Sequence, residues 1–457
     1  GGEYKFDMGS WPKGKLLWSP RIGFNWDLEG NRNMIIRGGT GIFTGRLPFV
    51  WYTNQPTNSY AIQATTEVTN PADLATMPFN PDPLAYVNRF PQDANTLPNG
   101  ASIAIVDKDF VFPQVWRTSI AIDKKLPLDL LWTLEAIYTK DVNAIKQYNA
   151  NMAKPDGAFS GPDNRPRFTS SAARSVDPSV REAMILTNTS RGNGISFSTS
   201  LSRNFRNGFY GQISYSYNHT MDLSSNPGSQ AASAWSNINS IRTSNDLDLA
   251  ISQYSIPHRI VAIASYRFEY AKNLATTISL FYEGANQGRF TYRYSNDMNN
   301  DGLSNDLIYI PKSRAEAGLF IPNAADADAF WAYVEQDKYL KRNKGNYAEN
   351  YGGLLPWQHN IDLQFLQDFN VRTGSTKHTL QFSIDMLNFT NFLNKNWGAR
   401  FRQVVDNGGI LRYSTVTNGI PQFTFNKVSN EYPTKSFEKV RDVNSTWGMQ
   451  IGLRYIF

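Results

Sequence analysis

Residues Thr446–Phe457 read TWGMQIGLRYIF, and their side chains alternate between large apolar groups and small or polar groups. The apolar positions of this stretch are Trp447, Met449, Ile451, Leu453, Tyr455 and Phe457. Alternation with a period of two places the two kinds of side chain on opposite faces of a β-strand. The stretch therefore predicts a strand with one apolar face and one polar face.

The same alternation recurs along the chain, in segments of about 11 to 15 residues, which are longer than a typical globular strand. The pattern predicts about eleven strands, at 15–28, 32–44, 114–125, 129–141, 194–205, 208–219, 257–270, 273–287, 357–370, 376–391 and 445–457. Long strands of this kind, with one apolar face and one polar face, are typical of proteins that cross a membrane as a β-barrel.

The connections between the predicted strands alternate between short and long. Short polar turns are expected near Glu29–Arg32, Pro127–Leu128, Arg206–Gly208, Ala271–Asn273 and Arg372–Thr376. Long loops are expected at about 45–112, 142–193, 220–255, 289–355 and 393–443. Outer-membrane barrels have short periplasmic turns and long extracellular loops. We predict an all-β fold, an antiparallel transmembrane outer-membrane β-barrel. A large soluble β-protein, such as a propeller or a jelly roll, is the alternative.

Composition excludes several other classes. The chain has 457 residues, of which 14% are aromatic, 18% are charged and none is cysteine. Disulfide-stapled folds, thiol catalysis and cysteine zinc sites are therefore excluded. The longest purely apolar run, 329–334, is far shorter than the ~20 residues of a membrane-spanning helix. The net charge of +6 comes without a basic run, so no nucleic-acid partner is expected.

Three segments carry a family resemblance: SPRIGFNWDLEGNRNMIIRGGTGIFTGRLPFVWYTNQ (Ser19–Gln55), DMNNDGLSNDLIYIP (Asp297–Pro311) and FSIDMLNFTNFLNKNWG (Phe382–Gly398). All three resemble the Oar-like TonB-dependent receptors. The strand that ends at Phe457 is also similar to the signal by which the barrel assembly machinery recognises its clients. The resemblance implies that Trp447, Met449, Ile451, Leu453, Tyr455 and Phe457 carry this signal.

The resemblance implies a barrel of 22 strands around an N-terminal plug that TonB pulls, in the outer membrane of a Gram-negative bacterium, with Bacteroidota as the expected lineage. Residues 1–457 would be the C-terminal part of that barrel, and the plug and the first strands would lie outside this sequence. The odd strand count agrees, since single-chain bacterial barrels have an even number. The implied partners are outer-membrane lipid, TonB through the plug region, the assembly machinery and an extracellular ligand.

One loop motif suggests a metal. Asp297, Asn299, Asp301 and Gly302 form D-x-N-x-D-G, the first half of an EF-hand calcium loop, and Asn305 and Asp306 follow. Ile308 stands where an EF-hand has its bidentate glutamate, and Asp306 could take its place. A structural Ca²⁺ in an extracellular loop is therefore one expectation. A polar turn without metal is the other.

Charged residues at polar-face positions are expected to line the lumen. They are Arg21, Arg37, Arg117, Glu135, Asp362, Asp385 and Arg454. Glu135, Asp362 and Asp385 could be imagined as a glycosidase pair, but they lie on separate strands among serine and glutamine. We therefore expect no catalytic residues and no enzyme activity. The only clear helical pattern covers 324–343, where Phe330, Val334 and Leu340 could form an apolar stripe.

The expected function is ligand capture by the extracellular loops and energised passage through a plugged lumen. A non-energised porin or a surface adhesin barrel is the first alternative, and a secreted carbohydrate-active enzyme is the second. The ligand stays open between siderophore, peptide, glycan and protein, because its specificity lies in the loops.

Overall fold

The structure is a computed structural model and describes residues 9, 11–59, 68–89, 100–204 and 207–457. Eleven long antiparallel strands follow one another in a continuous sheet within this part of the chain. We call this sheet the wall. Its strands are β1 (Arg21–Asp27), β2 (Met34–Thr44), β3 (Gln114–Leu126), β4 (Leu130–Asn149), β5 (Gly192–Asn204), β6 (Phe209–Asp222), β7 (His258–Tyr270), β8 (Leu274–Asn286), β9 (Trp357–Thr373), β10 (Thr376–Leu387) and β11 (Gly448–Ile456).

The eleven predicted strands all exist, and every strand pairs with its neighbour in sequence. Some limits differ. β1 begins at Arg21 rather than at 15, and β4 continues to Asn149 rather than ending at 141. The extension of β4 pairs with the strand Val180–Thr189, inside what was expected to be a loop. The predicted strand end at 205 and the predicted turn residue Arg206 lie outside the described residues.

The short turns that the structure describes in full lie at one end of the wall. The turn between β7 and β8 spans only residues 271–273, and Ala271 and Lys272 have φ values of 51° and 59°. Two consecutive residues with positive φ are typical of the type I′ hairpin turn, whose twist matches that of the paired strands. The turn after β3 uses Leu128 and Asp129 in the same way, with φ values of 66° and 58°. Local turn geometry therefore sets the register at this end.

The wall has two different faces. Large apolar side chains on one face are exposed, among them Ile22, Phe24, Trp26, Ile120, Ile213, Ile278, Ile451 and Leu453. The other face carries serine, glutamine and charged groups. The register keeps the two faces separate across the sheet, because residues paired across antiparallel strands point to the same side. An exposed apolar face of this extent is the surface that a barrel presents to lipid.

The long connections fold into structure of their own at the other end. Their helices are α1 (Phe49–Thr57), α2 (Pro71–Leu74), α3 (Ala231–Ser236), α4 (Arg314–Phe320), α5 (Ala324–Gln336), α6 (Lys338–Arg342) and α7 (Phe389–Leu393), with 3₁₀ turns at Val87–Arg89, Ser171–Arg174 and Asp406–Gly408, and one in the short turn at Pro127–Asp129. Their short strands are Ala101–Val106, Gly157–Ala158, Pro166–Arg167, Val180–Thr189, Ala250–Ile251, Arg289–Phe290, Arg293–Tyr294, Gly353–Leu354, Phe401–Gln403, Gly409–Thr417, Ile420–Phe425 and Phe437–Lys439.

The largest hydrophobic core lies among these loops rather than under the wall. We call it the loop core, and its buried members include Tyr292, Tyr294, Ile308, Ile310, Phe330, Val334, Leu340, Phe423 and Phe425. The predicted helix 324–343 is divided into α5 and α6, because Asp337 ends one helix and caps the next. Its apolar stripe packs into the loop core. The expectation that 324–343 holds the only clear helix is therefore wrong, since other loops of the described chain also form helices.

No helix among the described residues is long and apolar enough to cross a membrane.

Candidate functional site

The polar face of the wall carries an ion-pair network on β2, β3 and β4. The Arg37 guanidinium lies 2.8 Å from the Asp123 carboxylate and 3.6 Å from that of Glu135. The Thr133 hydroxyl donates to Asp123 over 2.7 Å. Arg37 and Glu135 were predicted on this face from the sequence pattern. Asp123 was not, although the alternation of β3 places it on the same face as Arg117.

All seven charged residues expected in the lumen lie on this one face. One row of cross-strand pairs crosses the wall from β2 to β9, and residues in such a row point to the same side. Its members are, in order, Arg37, Ala121, Glu135, Ser198, Ser216, Arg259, Ala285 and Gln358. Asp362 lies on the same side of β9 as Gln358. Gln364 on β9 is paired with Asp385 on β10, and Asp385 is paired with Gln450 on β11. Arg454 lies on the same side of β11 as Gln450. Arg21 joins them through Gly41, which is paired with both Arg21 and Arg117.

These side chains are not gathered into one site. The Asp385 carboxylate accepts a hydrogen bond from Gln364 over 2.6 Å. Asp362 accepts one from the backbone N–H of Asn388 over 2.8 Å. The guanidinium of Arg21 stacks on the ring of Phe43 at 4.5 Å. The seven residues form a charged face that spans many strands, and each of the three described above contacts a different neighbour.

The residues of the expected assembly signal are arranged along β11. Met449, Ile451, Leu453 and Tyr455 are exposed on the apolar face. Trp447 precedes the strand and packs edge-on against Phe392 of α7, with ring centroids 5.1 Å apart. Phe457 follows the strand and is 85% exposed. Their role in recognition by the assembly machinery stays a prediction.

The D-x-N-x-D-G motif forms a tight loop in the connection between β8 and β9. The Asp297 carboxylate accepts the backbone N–H of Asp301 over 3.1 Å and that of Gly302 over 2.8 Å. The Asn299 side chain also accepts from Asp301 N–H over 2.9 Å, and Asp301 accepts from Leu303 N–H over 2.8 Å. Gly302 has a φ of 94°, which favours glycine at this turn.

The aspartate and asparagine side chains of the motif are buried or half-buried, and the motif contacts two other loops. Asp306 is fully buried and accepts the backbone N–H of Met298 over 2.8 Å. The Asn305 amide donates to the carbonyls of Ser236 and Ile238 and to the Ser244 hydroxyl. The Asn300 amide donates to the carbonyl of Phe168 over 3.1 Å. The motif therefore joins three loops that are far apart in sequence.

Burial shifts the pKa values of the carboxyl groups in this motif. Burial, followed by the neighbouring Asp297 charge, raises the pKa of Asp301 to about 7. Burial raises the pKa of Asp306 well above its usual range, and it also raises the pKa of Asp297. Within the described residues, no group of three or more His, Cys, Asp or Glu side chains could by itself hold a metal ion. A metal site here would need amide or main-chain oxygens as well.

A buried ion pair stands beside the motif. Arg165 and Asp163 are fully buried and form two hydrogen bonds of 2.9 and 3.0 Å. The Arg165 guanidinium also donates to the Leu307 carbonyl over 2.6 Å and lies over the rings of Tyr294 and Tyr347. Its remaining nitrogen is 3.8 Å from Asp306. This pair was not predicted from the sequence, because nothing in the local pattern of residues 160–167 indicates burial.

A cavity with a volume of about 590 Å³ lies among the loops. It lies close to the loop-side ends of β8 and β9, and its charged lining residues are four arginines, Arg289, Arg293, Arg400 and Arg402, and one acidic residue, Asp406. Arg402 is paired with Glu438 at 2.7 Å. Within the described chain, the other three arginines form no ion pair shorter than 4.0 Å. Ser304 and Asn305 of the motif line the same cavity.

The main-chain carbonyls of neighbouring loops hold two of these arginines in place. Arg289 donates to the carbonyls of Ser255 and Tyr351, over 2.5 and 3.2 Å. Arg293 donates to the carbonyl of Asn407 over 2.9 Å. Burial lowers the pKa of both guanidinium groups from their ordinary value. The cavity therefore presents positive charge that acidic side chains only partly neutralise, which favours an anionic ligand.

Long antiparallel strands, an exposed apolar face, a charged opposite face and loops collected at one end define an outer-membrane β-barrel protein. The chain belongs to the outer membrane beta barrel domain family, whose model matches residues 5–399. The predicted fold class and the outer-membrane location are thereby confirmed.

Several solved structures are similar to this chain at low identity. The outer membrane transporter YddB from Escherichia coli is 12% identical with a TM-score of 0.45, over 95% of this chain and 40% of that one. The ferric enterobactin receptor PfeA of Pseudomonas aeruginosa, in a mutant form, is 8% identical with a TM-score of 0.36, over 82% and 35%. FpvA of P. aeruginosa, bound to heterologous pyoverdines, is 9% identical with a TM-score of 0.24, over 81% and 35%. The chain thus spans 40% or less of these proteins. No curated protein matches the sequence.

Proposed function

We propose that this chain is the barrel part of an Oar-like TonB-dependent receptor that captures an anionic ligand with its loops and passes it through a plugged lumen. The arginine-lined cavity carries the proposal. Its volume of about 590 Å³ suits a small ligand, and it lies at the mouth of the wall, three residues beyond the end of β8 at Arg289. The charged face below it would give the ligand a polar path.

The proposal includes further strands and a plug from outside this sequence. Within the described residues, β1 and β11 each pair along one side only. A strand edge left unpaired in lipid loses several hydrogen bonds that no solvent replaces, at a cost of several kcal/mol each. Additional strands that pair with both edges would remove this cost. TonB would act through the plug, and Bacteroidota remain the expected source.

The first test compares a receptor with a porin. The native polypeptide, purified from outer membranes, is inserted into a planar lipid bilayer, and its binding to the periplasmic domain of TonB is measured in parallel. A plugged receptor should bind TonB and give no steady conductance. Steady conductance without TonB binding would contradict energised transport and favour the porin.

The second test concerns the cavity. Citrate serves as a trianionic probe, and its affinity is measured by calorimetry for the native protein and for Arg400→Gln. Loss of one charge-assisted hydrogen bond removes about 1.5–3 kcal/mol, so affinity should fall roughly 10- to 100-fold. Arg412→Gln is the matched control, because Arg412 is exposed and lies outside the cavity. Equal affinity for both variants would contradict the proposed binding site.

We also propose that the protein is not an enzyme. The carboxylates that could be imagined as a catalytic pair have other partners on separate strands. Glu135 is near Arg37, and Asp362 and Asp385 accept hydrogen bonds from Asn388 and Gln364. Hydrolysis of a chromogenic glycoside panel should stay at the buffer rate. Turnover that is abolished by Glu135→Gln would contradict this.

A further inference from the structure

We propose that the loop Asp297–Asp306 binds one Ca²⁺ and thereby fixes three loops around the arginine-lined cavity. Three buried side-chain oxygens of this loop have no hydrogen-bond partner, namely Asp301 Oδ2, Asn305 Oδ1 and Asp306 Oδ1. Their residues are only 6%, 4% and 0% exposed. Buried oxygens without a partner are costly, and a bound cation would satisfy them together.

The ligand set explains why acidic residues alone do not form the site. Ca²⁺ takes six to eight oxygens and accepts carboxylates, amide carbonyls and main-chain carbonyls in an irregular arrangement. The unpartnered oxygens are two carboxylate oxygens and one amide oxygen. Asp297 and Asn299 stand at the first and third positions of the motif, where calcium loops supply further oxygens. Mg²⁺ fits less well, because it requires a near-ideal octahedron and keeps several waters.

The charge balance also favours a divalent cation. Four carboxylates belong to this loop and to the neighbouring Arg165 pair: Asp297, Asp301 and Asp306 of the loop, and Asp163, which shares Arg165 with Asp306. Two guanidinium groups oppose them: Arg165, which contacts Asp163 and Asp306, and Arg174, which is 3.5 Å from Asp297. Two negative charges therefore remain uncompensated when every group is ionised. One Ca²⁺ would neutralise them.

The position of the loop gives the cation a role. Asn305 holds the segment around Ser236 to Ser244 through three hydrogen bonds, and Asn300 is bonded to Phe168 and Arg174. Ser304 and Asn305 also line the cavity. A cation at this junction would connect the three loops to residues that line the cavity. Its binding can be measured without any ligand and does not depend on transport.

The experiment begins with the native polypeptide in detergent, stripped with EDTA and dialysed. Binding of ⁴⁵Ca²⁺ is measured by equilibrium dialysis up to about ten times the upper dissociation constant of extracellular calcium modules, which lies near 10⁻³ M. We expect one ion per chain with a dissociation constant on the order of 10⁻⁴ to 10⁻³ M. Absence of binding over this range would overturn the proposal, whatever the variants do.

The variants then locate the ion. Asp301→Asn removes one charge while keeping the shape of the side chain, and we expect at least tenfold weaker binding. Asp328→Asn is the control for charge loss, because Asp328 is exposed and pairs only with Arg314 at the surface. Hydrogen exchange of Ser236–Ser244 is followed in each protein. Ca²⁺ should slow exchange there in the native protein and in the control. Unchanged calcium affinity in Asp301→Asn would place the ion elsewhere and overturn the assignment.

Discussion

Replacing Arg165 by methionine should loosen the loop core while leaving the wall intact. Arg165 and Asp163 have no exposed side-chain surface, and their two hydrogen bonds are 2.9 and 3.0 Å long. Methionine fills much of the space but leaves the Asp163 charge buried with only the hydroxyls of Tyr294 and Tyr347 as donors. Removing one partner of a buried pair costs about 3–5 kcal/mol.

Hydrogen exchange measures this cost locally. The backbone N–H of Ile310 donates to the carbonyl of Asn346 over 2.9 Å inside the loop core. A loss of 3–5 kcal/mol should accelerate its exchange roughly 10²- to 10⁴-fold, since 1.36 kcal/mol is tenfold. Amides of β10 in the wall should keep their native rates. The matched control is Arg314→Met, whose surface pair with Asp328 is of the class worth about 0–1 kcal/mol.

A double variant makes the reasoning refutable. In Arg165→Met with Asp163→Asn, the Asp163 charge is removed together with its hydrogen-bonded partner, so the loss should be clearly smaller than the sum of the two single losses. Strict additivity would mean that the two side chains are not energetically coupled. Less than tenfold acceleration at Ile310 in Arg165→Met, or equal acceleration in the wall, would also refute the account.

Two further substitutions test the wall and the cavity. Ile451→Arg places a charge on the apolar face and should destabilise the barrel in lipid by about 2–4 kcal/mol at the membrane midplane, whereas Gln450→Arg on the polar face should cost little. The two variants are compared by urea titration in vesicles. Equal losses would contradict the assignment of faces. Gly408 has a φ of 68°, and the methyl group added in Gly408→Ala would lie 1.8 Å from the Thr291 carbonyl oxygen. Gly374→Ala is the control, because Gly374 also has a positive φ, 63°, but its added methyl group meets nothing within 4 Å. The control should lose about 1–3 kcal/mol from backbone strain, and Gly408→Ala should lose more. The melting temperatures decide, and a larger loss at Gly374 would be contrary evidence.

The wall could be predicted because its determinants are local. Each strand carries its own alternation, and short polar stretches mark the turns, as in Arg372–Thr376, where Gly374 has a φ of 63°. The placement of the seven charged residues on one polar face followed from the same alternation. Only the ends of some strands differ from the prediction. For example, β4 continues to Asn149 because the loop strand Val180–Thr189 pairs with its extension.

The loop core could not be predicted, because its contacts join segments far apart in sequence. Arg165 is buried against Leu307 and Tyr347, which are over 140 residues away. The break between α5 and α6 depends on Asp337, which caps α6 and also accepts hydrogen bonds from Tyr292 and Ser436. The motif Asp297–Asp306 was found by its spacing, but its unpartnered oxygens became visible only in three dimensions.

The central claim is that the structured loops face the outside of the cell and the short turns face the periplasm. The sequence has no cysteine, so single cysteines can be labelled without background from it. Ala325→Cys lies on the exposed side of α5, and Ser375→Cys lies in the two-residue turn between β9 and β10. A membrane-impermeant maleimide applied to intact cells should label the first variant and leave the second unlabelled until the outer membrane is opened. Labelling of Ser375→Cys in intact cells, with Ala325→Cys protected, would contradict the account.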